Sequence, residues 1–161
     1  MIKNYFELSF QHQQNILSQL EAGKSHWRAI AFLLELLKNG TFHEHLGQGE
    51  LLLLLDDQSF EKGFPLLKAF LTLCDRDEIV APELFPWVGF VFTFPKYRGN
   101  RLSEKLIDYA AELAKNLYSE SKNLYVSTDH VGLYEKYGFF FLKEADTVWG
   151  EKSRILFRPL R

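Results

Sequence analysis

At 161 residues with a formal net charge of −2, the chain lacks the positive surplus that draws proteins to nucleic acid or anionic membrane, so neither is an expected partner. Hydrophobic residues at 47% and charged residues at 25% belong to a soluble globular protein, here read as one domain over 1–161. The single cysteine, Cys74, admits no internal disulfide, and the N-terminus has no signal-like apolar stretch, so the expected location is the cytoplasm.

Two helices are expected first. One runs from Ser9 to about Leu20 with Ile16, Leu17 and Leu20 on one side, and Gly23 follows it. The other has Ser25 as its N-cap, an apolar face of Trp27, Ile30, Leu33, Leu34 and Leu37, and Gly40 as its stop. The texture then changes to strands over Glu50–Asp56 and Pro65–Cys74, with residues 57–63 as a hairpin connection. The leucine run Leu51–Leu55 is far too short to span a bilayer. Acidic Asp75-Arg76-Asp77-Glu78 leads toward an almost wholly apolar strand, Trp87–Phe94.

That strand breaks at Pro95 into Lys96-Tyr97-Arg98-Gly99-Asn100-Arg101-Leu102-Ser103. A helix follows, with apolar residues at Leu102, Leu106, Ala110, Leu113, Ala114 and Leu117. A loop feeding a helix N-terminus offers unpaired backbone N–H groups and a positive dipole end to an anion. Lys96, Arg98, Arg101 and Lys105 concentrate cations there in a slightly acidic chain, as a phosphorylated ligand would require. A strand at Asn123–Thr128, a short helix at Val131–Tyr137 and a closing hairpin of Phe139–Glu144 with Ser153–Leu160 complete the chain. Trp87–Thr128 is then a right-handed β-α-β unit with parallel strands, and the fold class is α/β or α+β with a mixed sheet.

The loop Arg98-Gly99-Asn100-Arg101-Leu102-Ser103 resembles the pyrophosphate loop, Arg/Gln-x-x-Gly-x-Gly/Ala, of the GNAT superfamily of acetyl-CoA-dependent N-acetyltransferases. A second family signature, Leu-Tyr-x-Lys-x-Gly-Phe, stands intact as Leu133-Tyr134-Glu135-Lys136-Tyr137-Gly138-Phe139. The chain departs from the pattern at Arg101, where the family has glycine, and lacks the asparagine often found after the family's fifth strand; Ser127, Thr128 and Asp129 occupy that region.

The resemblance implies a mostly antiparallel sheet flanked by helices around a central parallel β-α-β unit. It also implies acetyl-CoA as co-substrate, with no metal required. Phe92 and Thr93 would hold the pantetheine arm, Arg98, Gly99, Asn100, Arg101, Leu102 and Ser103 the pyrophosphate, and Lys96 or Arg101 the 3′-phosphate. Ser127 joins these cofactor positions. Tyr134 is the family's position for the acid that protonates the leaving thiolate. Glu83, Asp129 and His130 are candidate bases. The acceptor is then a small-molecule or peptide amine, and a homodimer stays open. A non-catalytic acyl-CoA sensor or interaction module, and a longer acyl donor, are the alternatives.

Blander readings stand beside these. Tyr134 could simply pack between helix and sheet. Asp129 could cap the following helix, and His130 could serve as a cap or surface residue. His43 and His45 form a His-x-His pair without a further spaced ligand, which reads as an exposed loop rather than a metal site. Trp149-Gly150-Glu151 suits a tight turn as well as an acceptor pocket. Cys74 reads as core.

Overall fold

The computed structural model describes residues 1–161. Seven strands, β1 (Ile2–Asn4), β2 (Gly49–Leu55), β3 (Leu67–Cys74), β4 (Trp87–Thr93), β5 (Asn123–Thr128), β6 (Phe140–Asp146) and β7 (Lys152–Pro159), form one sheet. Its order is β1-β2-β3-β4-β5-β7-β6, antiparallel everywhere except between β4 and β5. Five α-helices accompany it: α1 (Phe10–Gly23), α2 (Arg28–Lys38), α3 (Phe42–Leu46), α4 (Asp57–Glu61) and α5 (Leu102–Leu117). The expected mixed, mostly antiparallel sheet with its central parallel β-α-β unit is therefore present.

The leucine run explains the layering. Successive side chains of a strand point to opposite faces, so an uninterrupted apolar run must be covered on both. Leu51, Leu53 and Leu55 enter a cluster with Ile16, Leu20, Ile30 and Leu33 from α1 and α2. Leu52 and Leu54 enter the opposite cluster with Leu106, Ile107, Ala110 and Ala114 from α5. At about 25 cal/mol per Å² of apolar area, this double burial contributes strongly to holding the sheet between its two helical layers.

The helix faces deviate slightly from expectation. On α5 the buried set is Leu106, Ile107, Ala110, Ala111 and Ala114, while Leu117 is exposed. The buried stripe is centred on alanines, which lets the helix lie close to the sheet. Ser9 caps α1, its Oγ accepting from the His12 N–H at 3.2 Å, and α1 continues through Gly23. Ser25 does not cap α2. It lies in a 3-10 turn, Lys24–His26, and Trp27 takes the N-cap position without a side-chain hydrogen bond. Trp27 is thus left at the sheet's surface rather than on the helix's apolar face.

Other segments differ in kind. Residues 57–61 form α4, started by Asp56, whose carboxylate accepts from the Ser59 N–H at 3.0 Å. The strands it connects still pair antiparallel. The helix expected at Val131–Tyr137 is a 3-10 turn at Tyr134–Tyr137, consistent with its few residues and a glycine on either side. Two elements were not anticipated, β1 and α3; both are too short to show a period. α3 carries His43 and His45, which are therefore helical rather than in an exposed loop. His43 Nε2 lies 3.1 Å from the Gly49 carbonyl and His45 Nε2 lies 2.5 Å from Glu78 Oε1. No helix is long and apolar enough to cross a membrane.

Candidate active site

The site begins where β4 and β5 part. They pair only at Trp87↔Tyr125 and Val88↔Val126, and beyond Gly89 the two strands share no further ladder. On its other side β4 carries a bulge: Phe70 pairs with Phe92 and Thr72 with Gly89, so two residues of β4 oppose one of β3. Phe90 sits at φ +48°, in the left-handed region that non-glycine residues rarely adopt. Bulge and divergence together free main-chain groups of β4 toward a cleft between the strands.

One side of this cleft is a cavity of about 550 Å³, lined in part by Phe92, Thr93, Arg98, Gly99, Arg101, Leu102, Ser103 and Tyr134. Gly99 at φ +89° turns the loop back on itself. Arg101 then holds φ +57° as the N-cap of α5. Its side chain, 77% exposed, turns outward to Glu104 at 2.7 Å, so the backbone here takes the conformation that the family pattern fills with glycine. The first N–H groups of α5 are free of intrahelical partners and form the positive end of the helix dipole. Arg98 is braced. Its Nε donates to the Thr93 carbonyl at 3.0 Å, and its guanidinium lies 5.4 Å from the Phe92 ring centre. Thr93 and Ser103 join their hydroxyls at 2.9 Å, tying the end of β4 to the start of α5. Donors, dipole and cation gather at one end of this cavity, an arrangement that fits a pyrophosphate-bearing co-substrate.

The other side is a cavity of about 360 Å³, lined by Trp27, Asp77, Glu78, Phe90, Asp129 and Trp149 among others. The two cavities share Trp27, Val91, His130 and Tyr134. Tyr134 thus stands at their junction. Burial, with a smaller contribution from Asp77's charge, raises its hydroxyl well above the ordinary value near 10, so it keeps its proton.

In the sequence Asp77 is one of six acidic residues, with Asp75, Glu78, Glu83, Asp129 and Glu151, that could offer a cationic amine a favourable field, and it is not singled out as a base. It packs against Gly89, where an added Cβ would collide with its Oδ1 and come within 3.0 Å of Thr72 Oγ1. Burial pushes its carboxyl up to about 7; a hydrogen bond from the Glu78 N–H opposes that rise and the Glu78 charge adds to it. The signal in the sequence was Gly89 itself, since an isolated glycine inside a strand marks close approach by another group. Glu78 shares the cavity, held through Oε1 by His45, while its Oε2 is buried without a hydrogen-bond partner.

The remaining sequence candidates divide. Asp129 and His130 line the second cavity. Asp129 does not cap the following turn: that turn starts at Leu133 with no side-chain cap, and the Glu135 carboxylate accepts from the Gly132 N–H. Ser127 also lines the second cavity and not the first, its Oγ 2.8 Å from Ser153 Oγ. Lys96 and Asn100 are not among the lining residues. The Lys96 ammonium lies 5.7 Å from the Tyr97 ring centre, and Asn100 Nδ2 donates to the Tyr97 carbonyl. Glu83 lies outside both cavities, paired with Lys143 at 3.2 Å. Cys74 is core, fully buried, with its thiol pushed up mainly by burial.

The chain matches the model of the Acetyltransferase (GNAT) family over residues 41–139. No curated protein matches it in sequence. Among solved structures, an acetyltransferase from Streptococcus agalactiae is similar at 20% identity and TM-score 0.63, covering 99% of this chain and 97% of that one. A GNAT-family acetyltransferase from Staphylococcus aureus aligns at 14% identity and TM-score 0.63, covering 100% and 99%. An aminoglycoside 6′-N-acetyltransferase complexed with coenzyme A aligns at 12% identity and TM-score 0.61, covering 100% and 97%. With the family model spanning more than half its length and the fold agreeing throughout, the chain belongs to the GNAT acetyltransferase family.

Proposed function

We propose that the protein moves an acetyl group from acetyl-CoA to a primary amine by direct attack, with Tyr134 as general acid and Asp77 as general base. The observation that carries this reading is the junction of the two cavities at Val91 and Tyr134, beside the unpaired half of β4. The first cavity holds the co-substrate: the N-terminus of α5 with Arg98, Gly99 and Ser103 takes the pyrophosphate, and β4 takes the pantetheine arm. Acetyl-CoA supplies the activated acyl group as a thioester.

The rest is the work of this chain's residues. Backbone N–H groups freed by the bulge near Phe90 and Val91 stabilise charge on the thioester carbonyl oxygen. Holding amine and thioester together at the junction supplies much of the acceleration. A primary amine with an ordinary pKa of about 10 arrives charged at neutral pH and must lose a proton before it attacks. Asp77, poised near 7 within the second cavity, is matched to take it. Asp129 and His130 line the same space and stand as alternatives, whereas Glu83 is held outside by Lys143. The Tyr134 hydroxyl, kept protonated by burial, donates to the departing thiolate. Incubation with acetyl-CoA and a panel of amines, followed by thiol release and product mass, tests the proposal: thiol and acetylated amine should appear one for one. Tight acetyl-CoA binding with no transfer to any amine would instead support a sensor or interaction module.

A further inference from the structure

The second cavity has two unlike sets of lining residues. One is acidic, Asp77, Glu78 and Asp129, and no lysine or arginine lines the space. Glu78 keeps one oxygen buried without a partner, a costly arrangement that an ammonium hydrogen bond would relieve. The other set is aromatic. Trp27 and Trp149 line the cavity while staying 37% and 65% exposed, large areas for tryptophan on a protein surface. They belong to a connected cluster: Phe32 meets Trp149 edge-on at 5.6 Å and lies parallel to Phe90 at 6.4 Å, and Trp27 meets Phe90 at 6.5 Å. Trp149 comes from the β6–β7 turn and Phe32 from α2, so this contact joins two distant parts of the chain beside the cavity.

We propose that the acceptor is a small cationic amine with an aromatic or bulky apolar body, its ammonium against Asp77 and Glu78 and its body on the rings of Trp27, Phe90 and Trp149. The carboxyl groups set the sign of the acceptor, and the rings set its character. A volume of about 360 Å³ suits a compact molecule and is at the small end for ligand cavities. An acceptor carrying its own carboxylate would meet three acidic residues with no lysine or arginine on the lining to offset them. This proposal rests on the acetyltransferase reading of the same site.

Acetyl-CoA binding is measured first, by calorimetry. Initial rates are then compared for 2-phenylethylamine, spermidine and glutamate as acceptors, with wild type, Trp149→Ala and Glu78→Gln. The proposal expects 2-phenylethylamine to exceed the other two at least tenfold in kcat/KM. Each substitution should raise the KM for 2-phenylethylamine about tenfold, with acetyl-CoA affinity unchanged. Spermidine or glutamate as the better acceptor overturns it, as does an unchanged KM in both variants while acetyl-CoA still binds. Absence of acetyl-CoA binding overturns the acetyltransferase reading itself, and so is told apart from failure of the acceptor assignment.

Discussion

The two cavities that meet at Tyr134 are built in opposite ways. The first is formed mainly by one continuous stretch, from β4 through the loop to the start of α5, with Trp27, His130 and Tyr134 added where it meets the second, and the donors proposed for its ligand are largely main-chain N–H. The second is assembled from the start of α2, the β3–β4 loop, β4, the end of β5 and the β6–β7 turn, and its working groups are side chains. A contiguous backbone site can be held constant while side chains drift, as Arg101 illustrates by adopting a glycine-like conformation with its own side chain turned away. A site gathered from five segments can change its ligand by a few substitutions. The comparison predicts that substitutions in the first cavity act on the co-substrate, those in the second on the acceptor, and those at the junction on the chemical step.

The junction carries the largest effect. Tyr134→Phe keeps the ring and its packing against Phe139, so melting should barely change, while kcat falls roughly 10²- to 10⁴-fold with acetyl-CoA affinity nearly constant. Single-turnover rates measure this directly even if product release limits kcat. A loss of stability without loss of rate would mean a structural tyrosine.

Asp77→Asn should cost a comparable factor in rate and leave a distinct pH signature. An ionised Asp77 is needed to accept a proton, so wild-type kcat/KM should rise as pH passes through about 7, and the variant should lose that limb. Stability follows the opposite sign. The folded carboxyl is raised from an ordinary value of about 4, so the folded state binds more protons and wild type loses stability as pH climbs from about 4 through about 7. Asp77→Asn has nothing to ionise and should not show this loss. A pH-independent difference between the two proteins would remove Asp77 from the role of base.

This asymmetry also explains what was legible beforehand. The strand, basic loop and helix around Arg98 could be read because contiguous residues carry the pattern, and the proposed co-substrate site lies within that stretch. So could Tyr134, set in an intact local signature. Asp77 and Glu78 were legible only as two of several acidic residues that could favour a cationic amine, since nothing local places Asp77 against Gly89. Glu83 was a reasonable candidate by its place before β4, yet the fold turns it outward to Lys143. β1 and α3 escaped because three and five residues do not display a period. The hairpin β6–β7 was visible as strands, but the meeting of Trp149 with Phe32 is a tertiary fact.

Smaller effects sharpen the first cavity. Arg98→Ala should raise the KM for acetyl-CoA roughly tenfold to a hundredfold and weaken the salt dependence of binding, because one cation facing phosphate is lost while the backbone donors remain. Acceptor KM should not move. Arg101→Gly is the mildest change. It removes a left-handed non-glycine residue and an exposed ion pair worth little, so stability should stay equal or rise by up to about 1 kcal/mol, with co-substrate affinity kept. A clear loss of acetyl-CoA affinity would show that the Arg101 side chain, and not its backbone, meets the co-substrate.

The most direct test is thermal melting of the wild-type protein with and without millimolar acetyl-CoA, paired with calorimetric titration. Binding to the folded state alone stabilises by about 2.7 kcal/mol at a hundredfold excess over Kd, which for a chain of this size is a rise of several degrees in Tm. The account predicts that rise together with measurable saturable heat. An unmoved Tm and a flat titration would contradict the assignment of the β4–α5 cleft to acetyl-CoA.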